Sequence, residues 1–389
     1  MKQNTTITAR IKLYATKEQK TLIQETISAY TVACNYISGV VFESKQLIQP
    51  KLHTVSYPTL RADYKMKSQM ALSVMRTVIA RYRSAKSNKH QWDLINFNRG
   101  ELDLVWNRDY SLTKDGSFSL ITHTSGRIKI PYETKGVEKY FTDEWSFGTC
   151  KVLIKNGDLY LHIPITKEID KYDITTCNDV VGVDFGINFT AVSYSSIGKT
   201  TFFKGRHIKD KRSQFIKTRK ELQMRGTASS RRRLKKIGQR ETRWMNDVNH
   251  CTSKALVANC KDKALLVLED LHGVRTATEK VCKRNRYLSV SWAFFDLRQK
   301  IEYKAELAGK KAIAVDPKYT SQSCPKCGNT DRYNRDKRNH TFKCKGCEYK
   351  SNDDRIGAMN LWNKGIVFVS KETIGINFDS TGQVNIPTM

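Results

Sequence analysis

The stretch VVGVDFGINFTAV, Val180–Val192, carries a carboxylate at the end of a run of β-branched residues. Gly186 and Asn188 then supply turn chemistry before a second strand-like run, Thr190 to Ser195. It reads as a strand, a tight turn and a return strand. An aspartate at the end of a buried strand is costly unless it is paired, hydrogen-bonded or bound to metal. On this segment alone Asp184 also reads as a turn former ahead of Gly186. Partners elsewhere have to decide between the two.

Two further acids occupy comparable places. Ala264–Glu269, ALLVLE, is a short apolar run that suits a central parallel strand and ends in Glu269. Asp354 opens DRIGAMNLW, a predicted helix whose Gly357 and Ala358 permit close approach to a sheet. An acid in a first turn also suits the helix dipole, and neighbouring Asp353 competes for the same role. Just ahead lie Cys324 and Cys327, then Cys344 and Cys347, two C-x2-C knuckles whose four thiolates can converge on one zinc ion. Four cysteines leave no open position, so this metal is structural. Cys34, Cys150, Cys177, Cys251, Cys260 and Cys282 are scattered and read as core thiols of a reducing compartment.

Among 389 residues, 68 Lys and Arg face 38 Asp and Glu, leaving a net charge of +30, and such an excess points to a polyanion. Residues 204–243 hold sixteen Lys or Arg against three acids. Phe215, Ile216, Leu222, Leu234, Ile237, Trp244, Met245 and Val248 interrupt them at helical intervals. The segment is predicted to be a helical hairpin turning at Gly226–Ser230, one face on the core and the other on phosphates. The expected nucleic-acid contacts are Lys211, Arg212, Arg219, Arg231, Arg232, Arg233, Lys235, Lys236 and Arg240. No apolar run of about 18 residues and no signal peptide is present, so no membrane partner is expected.

The front half changes period. TITARIKLY, residues 6–14, alternates as a strand, Thr16 and Gln19 form a capping box, and Pro58 is taken to open a second amphipathic segment, Leu60 to Lys86. Strand-like runs follow at Leu102–Trp106, Ser117–Ile121, Arg127–Ile130, Cys150–Ile154 and Leu159–Ile165. They suggest a small antiparallel β-barrel interrupted by the helices, with Cys177-Asn178 as the junction to a second domain. A mobile loop is expected over 270–290, a helix over Ser291–Ala308 and a strand over Lys311–Val315.

The order Asp184, Glu269, Asp354, with a four-cysteine ribbon just before the last acid, resembles the divided site of a RuvC-type, RNase H-like nuclease. It is similar to the TnpB family, transposon-encoded relatives of type V CRISPR effector nucleases. RIKLYATKEQ, SYPTLR, SQMALSVMR, GVDFGINFTAV, LEDL, DPKYTSQSCPKCG and the final D-x-x-G-A-x-N-L carry the resemblance. The chain departs from the usual last motif in having Ile356 and Gly357 where relatives often have Asn and Ala.

The resemblance implies an α/β plus β fold. A β-barrel (wedge) domain over 1–178 would carry a helical recognition insertion at about 17–92. The RuvC-like nuclease domain would span 179–321 and 351–364, with the zinc ribbon at 322–350 between its parts and a flexible tail at 365–389. It further implies Asp184, Glu269 and Asp354 as catalytic ligands of two Mg2+ ions, cleavage beside a short adjacent DNA motif, and a guide RNA from the transposon end paired to target DNA. One protein chain per RNA, acting at the nucleoid of a prokaryotic cytoplasm, is expected. An unguided RuvC-fold nuclease or transposase, a nuclease-dead RNA-guided repressor, and a zinc-ribbon RNA-binding module are the competing readings.

Overall fold

The computed structural model describes residues 2–98, 100–186, 188–270 and 294–374. The chain forms two compact units, residues 4–168 and residues 169 onward, the second joined by residues 1–3. The division falls ahead of the expected junction at Cys177-Asn178. Residues before that junction already serve the second unit: the Tyr172 hydroxyl donates to the Lys263 carbonyl (2.9 Å), and Ile174 packs on the core there.

In the first unit the capping box forms. Thr16 Oγ1 accepts the Gln19 N–H (3.2 Å) and Gln19 Oε1 accepts the Thr16 N–H (3.0 Å), starting helix α1, Lys17–Ser44. Pro58 does not open a helix. It lies inside α2, Gln49–Ala62, whose first turn holds Pro50, and α3, Ser68–Ser87, starts afresh. The break comes from Lys65, whose φ of 49° is left-handed and reverses the chain. Met70, Val74, Met75, Val78 and Ile79 of α3 are buried, so the apolar face of this helix, methionines included, is core.

The strands expected to form one barrel fall in two antiparallel sheets. The first contains β1 (Lys2–Leu13), β2 (Glu101–Leu104), β6 (Trp145–Phe147), β7 (Cys150–Lys155) and β8 (Asp158–Asp170), in the order β1-β8-β7-β2 with β6 also on β8. The second contains β3 (Tyr110–Leu112), β4 (Ser117–Ile121) and β5 (Arg127–Pro131). An isolated bridge between Leu13 and Tyr132 links them, and both sheets share one core with α1 and α3.

The second unit is built on a mixed sheet of β9 (Asp179–Asp184), β10 (Phe189–Ser195), β11 (Thr200–Lys204), β12 (Ala264–Glu269) and β13 (Lys311–Val315). Its order is β11-β10-β9-β12-β13. The first three strands pair antiparallel, whereas β12 is parallel to both β9 and β13. Between β11 and β12 the basic segment makes three helices where a hairpin is predicted: α4 (Arg206–Arg225), α5 (Ala228–Ile237) and α6 (Arg240–Ala258). Only Gly226 and Thr227 form the first turn, because the Thr227 hydroxyl accepts the Ser230 N–H (3.2 Å) and draws Ala228–Ser230 into α5. Helix α7, Phe294–Leu307, precedes β13. The loop expected over 270–290 lies, beyond Asp270, outside the described residues, as do Ser291–Ala293.

Alternation along the strands sorts the two faces of the sheet. Val181, Val183, Leu266 and Leu268 face α6 and α7, packing on Leu256, Leu297 and Ile301. Val180, Leu265 and Val267 face the other way, onto Leu361 of α8, Asp353–Ile374. This last helix corrects the expected boundary at residue 364. It continues for further turns because Phe368 and Val369 still find the apolar face of the sheet. Of the expected tail, residues 375–389 lie outside the described part.

The contact of α8 with β9 is backbone against backbone. A Cβ on Gly182 would collide with the Ala358 carbonyl oxygen and the Trp362 nitrogen, neither of which can swing aside. Gly182→Ala is expected to cost the second unit more than the 1–3 kcal/mol typical of core overpacking, that is, at least about 3 kcal/mol. Gly39→Ala within α1, whose added Cβ meets nothing within 4 Å, is expected to stabilise the first unit by about 0.5–1 kcal/mol. Thermal unfolding of the two variants should therefore move in opposite directions.

Candidate active site

Leu268 lies opposite Val183 in the parallel β9–β12 ladder, so the next residues, Asp184 and Glu269, leave the sheet side by side. Both belong to the parity that faces α8. Asp354 arrives from the first turn of that helix, where the Asn352 Oδ1 accepts the N–H groups of Asp354 and Arg355 (3.1 Å each). One turn on, a Cβ at Gly357 would lie 2.8 Å from the Asp184 Cγ. A Cβ at Gly186 would lie 3.8 Å from an Asp354 carboxylate oxygen. The three acids singled out from the sequence therefore meet at one corner, and glycine at 357 leaves the space that the Asp184 carboxyl occupies. The departure at Ile356 has a cause as well: its side chain is fully buried among Cys324, Phe342 and Cys344 and pins the helix to the cysteine ribbon.

Burial and mutual repulsion set the protonation of this corner. Asp184 is pushed well above the usual carboxylate range, first by burial, then by the charge of Glu269 and by a hydrogen bond with it, and then by Asp354. Glu269 is raised by burial although it accepts from Asp184 and from the Thr320 hydroxyl. Asp354 is raised by burial and then by Asp353. Burial and the neighbouring carboxylates thus both favour the neutral form of Asp184. Opposing all three shifts is the Arg335 guanidinium. Clustered hard oxygen donors that suffer from each other's charge fit divalent magnesium, which relieves that repulsion.

Groups whose carboxyls are raised in the folded state stabilise it below their unfolded value, about pH 4, and that contribution is lost as pH climbs toward the raised values. In buffer without divalent salt, Asp184→Asn is therefore expected to melt higher than the parent at pH 7, with the gap closing toward pH 4. Added Mg2+ should reverse the order. Thermal scans across pH read this directly.

Asp353, the competing acid, has a different task. It is fully buried, accepts from Arg335 Nε (2.8 Å) and lies 3.7 Å from His340 Nδ1, whereas Arg335 is 3.8 Å from Asp354. Arg335 and His340 come from the ribbon, whose strands β14 (Arg335–Asp336), β15 (Thr341–Lys343) and β16 (Lys350–Asn352) form one small sheet. The His340 ring also meets the Asn188 amide of the turn after β9 (2.6 Å). Nothing in the sequence singled out Arg335, since one arginine in a basic insertion carries no pattern.

The four ribbon cysteines converge, with all Sγ atoms within 4.8 Å of one another. Cys324 and Cys347 are 3.6 Å apart and Cys327 and Cys344 3.5 Å. Tetrahedral zinc with bonds of about 2.3 Å requires edges of about 3.8 Å, so the set fits that ion. The N–H groups of Cys347 and Gly346 point at the Cys344 sulfur and bring its thiol down to about 7, toward the thiolate that zinc needs. One zinc per chain is expected by metal analysis. Cys324→Ser or Cys344→Ser should lose it and lower the melting temperature.

The basic helices divide. Lys211, Arg231, Arg232, Arg233, Lys235, Lys236 and Arg240 are exposed, and Lys211 lies 4.8 Å over the Trp244 ring. Arg212 departs from the expectation. It is 2% exposed and bound to Glu241 (3.2 Å), which Arg219 also reaches (2.6 Å). Glu241 is buried on α6, so these two arginines serve the packing of α4 on α6 and Arg212 has no surface for a phosphate.

Comparison with known proteins bears on both parts of this unit. A family model described as a probable transposase matches residues 162–274, and one described as Cas12f1-like, TNB domain, matches residues 294–361. A CRISPR-associated endodeoxyribonuclease Cas12f1 of Sulfoacidibacillus thermotolerans is 32% identical over 211 residues, 51% of this chain and 48% of that protein. The match therefore spans about half the length of that relative. A TnpB-like protein of Methanocaldococcus jannaschii is 29% identical over 259 residues, 63% of this chain and 89% of the other. Cas12f1 solved with sgRNA and target DNA shares the fold at a TM-score of 0.52 and 11% identity, covering 94% of this chain and 99% of that one. With acids and ribbon in the order the motifs gave, and with these matches over both parts of the unit, the chain is similar to TnpB-like proteins and to Cas12f1.

Proposed function

We propose that the protein is an RNA-guided DNA endonuclease that hydrolyses phosphodiester bonds in a RuvC-type site. The observation that carries this reading is the meeting of Asp184, Glu269 and Asp354 at one buried corner. The strand order β11-β10-β9-β12-β13 supports an RNase H-like domain, and the two front sheets support a barrel of the wedge kind. A relative named as an endodeoxyribonuclease and a neighbour in fold solved with sgRNA and target DNA support the class of partners.

Asp184 and Glu269 hold their places through the strands and Asp354 through the capped first turn of α8, so side-chain rotation and the cations themselves would draw the three carboxylates together. Bound there by these three carboxylates, Mg2+ would supply activation of the attacking water and stabilisation of the leaving 3′ oxygen. Arg335 keeps the corner from being wholly acidic. The exposed cations of α5 hold nucleic acid by its phosphates, which gives affinity without sequence choice. Choice then comes from pairing with a guide RNA, the protein reading only a short motif beside the target. The guide is assigned to the transposon end, and zinc holds the ribbon.

The test begins with the RNA that accompanies the purified protein. Its terminal segment is replaced, and Mg2+-dependent cleavage is expected to move to the new complementary site next to the same short motif. Cutting that ignores the guide would favour the unguided nuclease, and guided binding without cutting would favour the repressor. Protein that carries and responds to no RNA would end the guided reading. Asp184→Ala, Glu269→Ala and Asp354→Ala are expected to reduce cleavage at least about 1,000-fold, the scale of lost transition-state electrostatics. Target binding should survive in all three. Asp353→Ala should instead lower stability, because it strands Arg335 beside a buried cavity.

A further inference from the structure

Behind Glu269 lies a turn that the catalytic reading has not used. Residues Asp316 to Ser323 connect β13 to the first cysteine knuckle, and Thr320 within them is 3% exposed. Its hydroxyl lies 2.8 Å from the Pro317 carbonyl oxygen and 3.4 Å from Glu269 Oε1, so one proton is shared between a short and a long acceptor. Hydrogen bonds in catalytic sites are often long before ligands arrive and tighten afterwards.

The turn is held in a demanding shape. Asp316 Oδ1 accepts the Lys318 N–H (2.9 Å), and Tyr319 takes a φ of 64°, a conformation that bulky side chains rarely adopt. Helix α8 supplies the restraint. Asn360 Nδ2 donates to the carbonyls of Thr320 (2.7 Å) and Ser323 (2.8 Å), and Lys364 Nζ donates to those of Asp316 (2.6 Å) and Lys318 (3.3 Å). Asn360 and Lys364 are four residues apart and share one face of the helix. Four carbonyls of one short turn are thus gripped by the helix whose first turn carries Asp354.

We propose that Thr320 is a positioning residue for Glu269, fixing the carboxylate that receives the divalent cation, and that Asn360 and Lys364 hold Thr320 in place. The geometry ties the strand acid to the helix acid through side chains that touch neither substrate nor ion. Displacement of α8 would then carry Asp354 and the support of Glu269 together. The inference rests on the nuclease reading for its consequence in cleavage, but its structural content is a matter of ion affinity.

The experiment titrates Mn2+ into the full-length protein with its RNA and reads bound ion by electron paramagnetic resonance. Parallel assays read the Mg2+ dependence of cleavage, target-DNA binding and melting temperature. Thr320→Val keeps the shape and deletes the hydroxyl; Thr320→Ser restores it; Glu269→Ala marks loss of the ligand itself. Removing a partner that orients a metal ligand costs about 10–100-fold in metal affinity or activity. Thr320→Val is therefore expected to weaken Mn2+ binding and raise the half-saturating Mg2+ at least about tenfold, with target binding unchanged. Thr320→Ser should remain within about threefold of the parent. Asn360→Ala should repeat the Thr320→Val defect with the turn released. Wild-type ion binding in Thr320→Val overturns the proposal, as does a Thr320→Ser variant as impaired as Thr320→Val. If the parent binds Mn2+ and the variants behave as expected but nothing is cut, the nuclease reading fails and the positioning of Glu269 stands.

Discussion

Helix α8 lies on β9 with no side chain between them at Gly182, and this approach decides where the acids go. A helix held at ordinary side-chain distance, about 10 Å from the sheet, would keep Asp354 away from the ends of β9 and β12. With the glycine, the first turn of α8 drops beside Asp184, and Gly357 leaves the room its carboxyl fills. The cost of this closeness is electrostatic. Three carboxyls are buried and raised by that burial, Asp184 also by Glu269 and Asp354, and the Arg335 guanidinium opposes all three shifts.

The ribbon is the second dependence. It enters the chain between β13 and α8, and its four thiolates organise a segment too short to bury a core of its own. From that segment Arg335 reaches Asp353 and Asp354, and His340 reaches Asp353 and the turn after β9. A metal held by the four cysteines would therefore act on the corner through these two side chains. Ile356 completes the link from the helix side.

What the sequence made legible followed from chemistry that repeats or stands out. Asp184 and Glu269 were visible because an acid at the end of a β-branched or apolar run needs a reason. The cysteines were visible because their spacing leaves few geometries. Arg212 was misread because charge density treats every cation alike, and nothing local marks Glu241 as the buried acid that withdraws one of them. Pro58 was misread because proline is tolerated within α2 when the helix ends one turn later, and the true break lay in the backbone of Lys65. The length of α8 was missed because Phe368 and Val369 are apolar at spacings that only the neighbouring sheet makes meaningful. Arg335 had no signal at all, and Thr320 stood within the quoted DPKYTSQSCPKCG stretch without one of its own; their roles arise from chain segments that meet only in the fold.

The division among the basic residues sets how nucleic acid can approach. Buried Glu241 takes Arg212 and draws in Arg219, so α4 and α6 are fastened to each other by charges that would otherwise face solvent. The cations left outside lie on both α4 and α5, most densely on α5, which has Ser230 as its buried residue and little apolar anchorage. A short helix so weakly attached to the core gains little from packing, and neutralising its repulsion requires an external polyanion. The same arginines that oppose its isolated stability become favourable on a phosphate backbone. On the proposed function these charges would be neutralised by phosphates, and the salt dependence of binding would measure how many of them take part.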